Sequence, residues 1–206
     1  MRRVTVPGLL AALLLGAALA GASEVQVAGP AGHPRARFPL SVYLAPTGDP
    51  DLDAAAARAV ADWNAVALEA LGLAVFRPVP DPAEAAVRLT LVAEGEPGVM
   101  GAARVHADAR GVIEPPVEVR VVAPHARGRT PRETVFYQVV AHELGHALGL
   151  EHVDDPRSVM CCASPTLDFG DPAVREAYVA ARRRPDLRTV REQLAAHYRR
   201  VWAGDR

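Results

Sequence analysis

Three histidines, His142, His146 and His152, fall within one eleven-residue stretch of AHELGHALGLEHVDDPRSVM, which runs from Ala141 to Met160. That spacing dictates local structure. Residues four apart share one face of an α-helix, so His142 and His146 project together, one turn apart. Two imidazoles so placed can grip one metal ion. Glu143, beside the first, can reach a water on that ion without binding the ion itself. Two nitrogens leave a tetrahedral ion short of ligands. Gly149 can adopt positive φ, end the helix and turn the chain sharply, so that His152 returns as a third nitrogen. Three protein ligands with one open position describe a catalytic zinc site, whereas four would close a structural one. Water at such a site ionises near neutral pH. Glu143 would take its proton and pass it to a leaving amine, which predicts peptide-bond hydrolysis without a covalent intermediate.

The flanking sequence supplies elements to hold this helix. Thr130-Pro131-Arg132-Glu133 reads as a capping-box start, and the helix then runs through Val135 and Val139 to about Leu148. Upstream, Leu40, Val42 and Leu44 alternate as a strand. Asp49-Pro50 opens a helix whose Leu52, Ala56, Val60, Trp63 and Leu71 recur at helical spacing until Gly72. Strands are expected from Leu73, at Val87 to Leu91, near Ala102 to Val105, and from Val117. After Met160 the chain reads as mostly helical, from Asp171-Pro172 to Arg184 and from Leu187 to Trp202, with Pro185 between. The order predicts an α+β domain: a twisted mixed sheet with two helices, followed by a small, mostly helical C-terminal part.

The 206 residues suffice for one domain with a real core. Half are apolar and the net charge is −1, which excludes a disordered chain and gives no basic footprint for nucleic acid. Arg2 and Arg3, the apolar run Leu9 to Leu19 and Ala20-Gly21-Ala22 together read as a secretory signal peptide over residues 1–22, too short for a comfortable membrane span. Residues 23–37 read as a loose leader and 38–206 as the folded domain. The expected location is therefore outside the cytoplasm, in the periplasm or cell exterior, with retention of the signal as an anchor the alternative. The two cysteines, Cys161 and Cys162, are adjacent. They can form a vicinal disulfide, stay free or pair between chains, but cannot staple distant segments.

The run from His142 through Glu143, His146 and Gly149 to His152 resembles the zinc signature of metzincin peptidases, H-E-x-x-H-x-x-G-x-x-H. The resemblance implies a methionine turn beneath the zinc, and Met160 stands where that turn falls. The segment is most similar to matrixins. The separation of His152 from Met160 matches, and Asp155 falls where matrixins carry an acid, but Val153 replaces their usual serine. The resemblance implies a Zn2+ cofactor held by His142, His146 and His152, Glu143 as general base, and a protein or peptide substrate lying extended along an edge strand, for which Ala102 to Val105 is the candidate. It also implies that Cys161, Cys162 and Pro165 wall the leaving side of the cleft. No cysteine precedes the first strand, so a matrixin-type cysteine switch is not expected.

Together these readings describe a secreted, monomeric zinc endopeptidase, acting broadly or on a narrow target such as a cell-wall peptide or a propeptide. The alternative is a secreted, non-catalytic peptide-binding protein that keeps a metal in its cleft. His33, His106, His125 and His197 lack ligand spacing, although His106 with Asp108 could contribute to a second metal site. The run from Arg182 to Arg184 reads as a solvated face.

Overall fold

The computed structural model describes residues 31–96, 98–124, 130–162 and 167–203. The expected signal peptide, most of the leader, His125 and Pro165 lie outside the described residues. A five-stranded sheet is ordered β2-β1-β3-β5-β4. It comprises β1 (Leu40–Leu44), β2 (Phe76–Pro78), β3 (Val87–Val92), β4 (Gly101–Arg104) and β5 (Val117–Val122). All neighbours run parallel except β4, which lies antiparallel to β5 at the edge, with Ala103 opposite Val119. The alternation in the sequence decides the faces. Leu40, Val42, Val87, Leu89, Val117, Val119 and Val121 are buried, while Arg88 and Glu118 pair across the outer face at 3.2 Å.

Two helices cover the inner face. In α1 (Pro50–Leu71), Asp49 Oδ1 accepts from the N–H groups of Asp51 and Leu52, Pro50 occupies the first turn, and Gly72 caps the end. The buried stripe of α1 is rich in alanine, so α2 (Arg132–Ala147) packs close beside it. Trp63 fills that junction, fully buried, and its indole N–H donates to Ala141 O at 2.9 Å. Burying an aromatic of this size contributes about 3 kcal/mol, and the bond leaves its one polar atom satisfied. The C-terminal part is α3 (Pro172–Arg183), a 3-10 turn at Leu187–Val190 and α4 (Arg191–Ala203).

The structure departs from the sequence reading in four places. Residues from Ala31 onward are no loose leader. Ala31 and His33 are buried, Gly32 bridges to Val112, and Trp202 Nε1 donates to His33 O at 3.0 Å. The second strand starts at Phe76 rather than Leu73, because the Val75 and Phe76 N–H groups donate to the side-chain oxygen of Asn64. The capping box is not made. Pro131 itself occupies the cap position of α2, which puts Thr130 one residue too early, and no side chain caps the helix. The last helix is split, because Asp186 Oδ1 accepts from Arg188 N and tightens Leu187–Val190 into a 3-10 turn.

Candidate metal centre and active site

The end of α2 and the turn after it form a Schellman motif. Gly149 N donates to His146 O at 2.8 Å and Leu150 N to Gly145 O at 3.0 Å. Gly149 has φ 85°, and a Cβ there would run into Ala31 O and approach His197 Nε2 to 3.1 Å, so the position needs glycine twice over. The next carbonyls of the helix are also taken. His33 Nε2 donates to Ala147 O, and the Tyr198 hydroxyl donates to Leu148 O, both at 2.9 Å. The turn is thus held from within and braced from behind by both the leader and α4.

This turn brings His152 back to His142 and His146. The three Nε2 atoms lie 3.1, 3.1 and 3.2 Å apart. These short separations are not ordinary hydrogen bonds. His142 Nδ1 donates to Val159 O and His146 Nδ1 to Leu150 O, each at 2.8 Å, so in the neutral rings both Nε2 atoms present lone pairs to each other. Burial holds His142 down to about pKa 3 and His146 to about 4, and it lowers His152 as well, so all three stay neutral at physiological pH. Facing lone pairs repel unless an electrophile lies between them. Three nitrogens at about 2.0–2.1 Å from one tetrahedral ion stand roughly 3.3 Å apart, so the cluster fits a zinc-sized cation. Among the described residues no other group of three such side chains converges in this way. His106 is exposed, and Asp108 instead accepts from Arg110 N and Val112 N in its own turn.

Glu143 points into the same cleft, a cavity of about 420 Å³ between β4, α2, the Met160 segment and α3. Its carboxyl accepts from the Ala103 N–H, and its Oε2 is buried with no hydrogen-bond partner among the described residues. Burial pushes its pKa up to about 8 against the pull of the Ala103 bond. A divalent cation on the histidines would draw it down again. Met160 is fully buried beneath α2. Its N–H donates to Ser158 Oγ and its carbonyl accepts from Val153 N, both at 3.0 Å, which ties the methionine segment to the chain leading from His152. Asp155 pairs with Arg157 at 2.9 Å. The sulfurs of Cys161 and Cys162 are drawn together as a vicinal pair, and both residues line the cleft.

Two contributors to the cleft carried no site signal in the sequence. Gly101 lets β4 pass directly over Glu143. Arg182, read as part of a solvated face, instead lines the cavity and donates to Cys161 O at 3.1 Å. Gly101 precedes the extended piece expected from Ala102, and only packing brings it against Glu143; Arg182 is turned inward by packing alone.

Residues 45–168 match the matrixin family model, more than half of the 206 residues. The chain belongs to the matrixin family. Matrixins are zinc-dependent metallopeptidases, so the histidine cluster and the α+β architecture here are those of a zinc peptidase of that family. The matrixin match ends before α3 and α4. Among solved structures, archaemetzincin from Methanopyrus kandleri is similar at 19% identity, over 85% of this chain and 99% of that chain, with a TM-score of 0.45. No curated protein matches the chain.

Proposed function

We propose that this matrixin is an exported, monomeric endopeptidase in which His142, His146 and His152 hold the zinc and Glu143 is the general base. The observation that carries this reading is the convergence of three neutral Nε2 atoms within 3.2 Å, beside a buried carboxylate oxygen that has no hydrogen-bond partner among the described residues. Bound zinc supplies Lewis-acid polarisation of the scissile carbonyl and of the attacking water. The chain's own residues do the rest. An extended substrate adds to the sheet along β4, where main-chain pairing fixes its register. Glu143 takes the water's proton on Oε2, the oxygen left open, while the Ala103 N–H steadies the carboxyl. Held between the upward push of burial and the downward pull of the cation, the same oxygen can give that proton to the departing amine. Val159 O and Leu150 O orient the His142 and His146 rings through Nδ1, which keeps Nε2 as the ligand atom. Met160 packs beneath α2 against Gly145, the neighbour of His146 in the chain.

Export rests on the Arg2-Arg3 start, the apolar run and Ala20-Gly21-Ala22. Among the described residues no helix is long and apolar enough to cross a membrane. The deciding assay follows hydrolysis of a quenched peptide library by the secreted protein, with and without a chelator, beside Glu143→Ala. Activity lost to the chelator, restored by zinc and absent in the variant is expected. A folded protein that holds zinc yet cleaves no peptide would favour a non-catalytic, peptide-binding role. N-terminal sequencing of the secreted chain checks the cleavage after Ala22.

A further inference from the structure

The cleft wall facing β4 is built in part by α3, which lies beyond the stretch matched to the matrixin family. Two α3 side chains four residues apart, Tyr178 and Arg182, line the cavity together. The helix is tied to α2 through Gln138 Nε2, which donates to Ala181 O at 3.2 Å. Arg182 does not wave in solvent. It is half-buried, donates through Nη2 to Cys161 O at 3.1 Å and through Nη1 to Ser158 O at 3.4 Å, and lies 4.4 Å above the Tyr178 ring. Tyr178 is itself backed by Phe169, at 5.1 Å between ring centres.

None of these partners carries a charge. Arg110, Arg157 and Arg188 each pair with an aspartate two residues away, but no carboxylate among the described residues pairs with Arg182. A guanidinium is charged at every relevant pH and has five N–H donors, of which the two carbonyls engage two. Val135, Val139 and Val159 share the cavity with it, as do Gln138, Glu143 and the three histidines, and none of these is paired with the guanidinium. Partial burial of an uncompensated cation costs free energy, and an incoming anion relieves that cost. The histidines cannot play this part, because their Nε2 atoms are turned toward one another and the Nδ1 atoms of His142 and His146 are committed to Val159 O and Leu150 O. Arg182 is therefore the one permanent cation among the described residues that line the cleft.

We propose that Arg182 is a specificity-determining residue, which selects peptides bearing a carboxylate next to the scissile bond, on the residue seated between α2, Cys162 and α3. The proposal rests on the peptidase reading above. The carboxylate can come from an acidic side chain within a chain or from a free C-terminus, and both present the same two oxygens to the guanidinium.

The test uses the zinc-loaded secreted protein and matched quenched peptides with Glu or Gln at each position flanking the bond, plus a pair ending in a free carboxylate or an amide. At one adjacent position the Glu peptide should be cleaved with about tenfold higher kcat/KM than its Gln twin, the scale of one charge-assisted hydrogen bond. The ratio should shrink as salt rises. It should fall to about one in Arg182→Gln and turn in favour of a Lys peptide in Arg182→Glu. Because each ratio is taken within one preparation, partial misfolding of a variant cancels. A gain confined to the free-carboxylate pair would assign the recognised group to the substrate's C-terminus and also support the proposal. Equal cleavage of the Glu and Gln twins and of the free-carboxylate and amide pair, or a preference that survives in Arg182→Gln, would overturn it. If nothing is cleaved, the peptidase reading fails separately. The same peptides, labelled and followed by fluorescence anisotropy, then decide the matter: a carboxylate-dependent affinity lost in Arg182→Gln upholds the recognition, and equal binding ends it.

Discussion

Gly101 of β4 passes so close to Glu143 of α2 that a Cβ on the glycine would stand 2.7 Å from the carboxylate Oε1 and 2.5 Å from Val139 Cγ1. No side chain fits there unless the edge strand or the glutamate moves. A shift of about 1 Å at a reacting group can cost on the order of a hundredfold in rate. Gly101→Ala should therefore lower kcat/KM by roughly ten- to a hundredfold. It touches none of the three histidines, so zinc content should not change. Metal analysis beside peptide turnover checks this, and a variant with full activity would show that β4 yields freely.

Gly145 sits in the last turn of α2, where replacing glycine by alanine ordinarily stabilises a helix, by up to about 1 kcal/mol. Here the opposite sign is expected. An added Cβ would collide with Met160 Sδ and lie 3.2 Å from Trp63 Cζ2. Overpacking of this kind costs about 1–3 kcal/mol. Denaturant unfolding of Gly145→Ala should show that loss, and Met160→Ala placed on top should return part of it as a coupling between contacting residues. Strict additivity of the two changes would mean that the methionine does not press on the helix.

His33 gives the fold a sensitivity to acid at a distance from the metal. Its Nε2–H is committed to Ala147 O, and its Nδ1 faces Arg37 Nη1 at 3.4 Å. Burial, assisted by the nearby charge of Arg37, lowers its pKa from 6.5 to about 4. The unfolded chain thus takes up this proton near pH 6.5, and the folded chain only near 4. The contribution is complete above 6.5 and is lost as pH falls from there through about 4, reaching about 3 kcal/mol. Unfolding free energies measured from pH 7 to 4 should fall less steeply in His33→Gln than in the parent chain. Parallel slopes would place the acid sensitivity elsewhere.

Asn64, the sole asparagine, joins α1 to the edge of the sheet. Its oxygen accepts from Val75 N at 3.0 Å and Phe76 N at 2.8 Å, and its amide donates to Phe76 O at 2.9 Å. Asn64→Ala leaves three main-chain groups wanting partners and should cost about 2–3 kcal/mol in chemical unfolding. Asn64→Asp keeps the acceptor but turns a carboxylate toward Phe76 O, so it should recover only part of the loss.

Much of the fold was legible because it is local. The alternation in Val87 to Leu91, the helical spacing from Leu52 to Leu71 and the Asp49-Pro50 start are each written within a few residues. The meeting of His142, His146 and His152 was legible for the same reason: helix pitch and one glycine turn suffice to bring them together. What could not be read depends on segments far apart in the chain. Ala31 to His33 show no periodicity, and they are held by Val112, Ala147 and Trp202. Arg182 carries the composition of a solvated face, and only the packing of α3 on α2 turns it inward. The Thr130 capping box failed on a single residue of register, which sequence patterns resolve poorly.

The brace behind Gly149 has a consequence for how the protein is made. Leader and α4 meet there across 169 positions, through Trp202 and His33. While residues of α4 are still being added, the histidines are already part of the chain, but the turn that returns His152 has nothing at its back. The site reaches its finished shape only once α4 can pack behind the turn, so a nascent chain is denied a working cleft until that helix has been made.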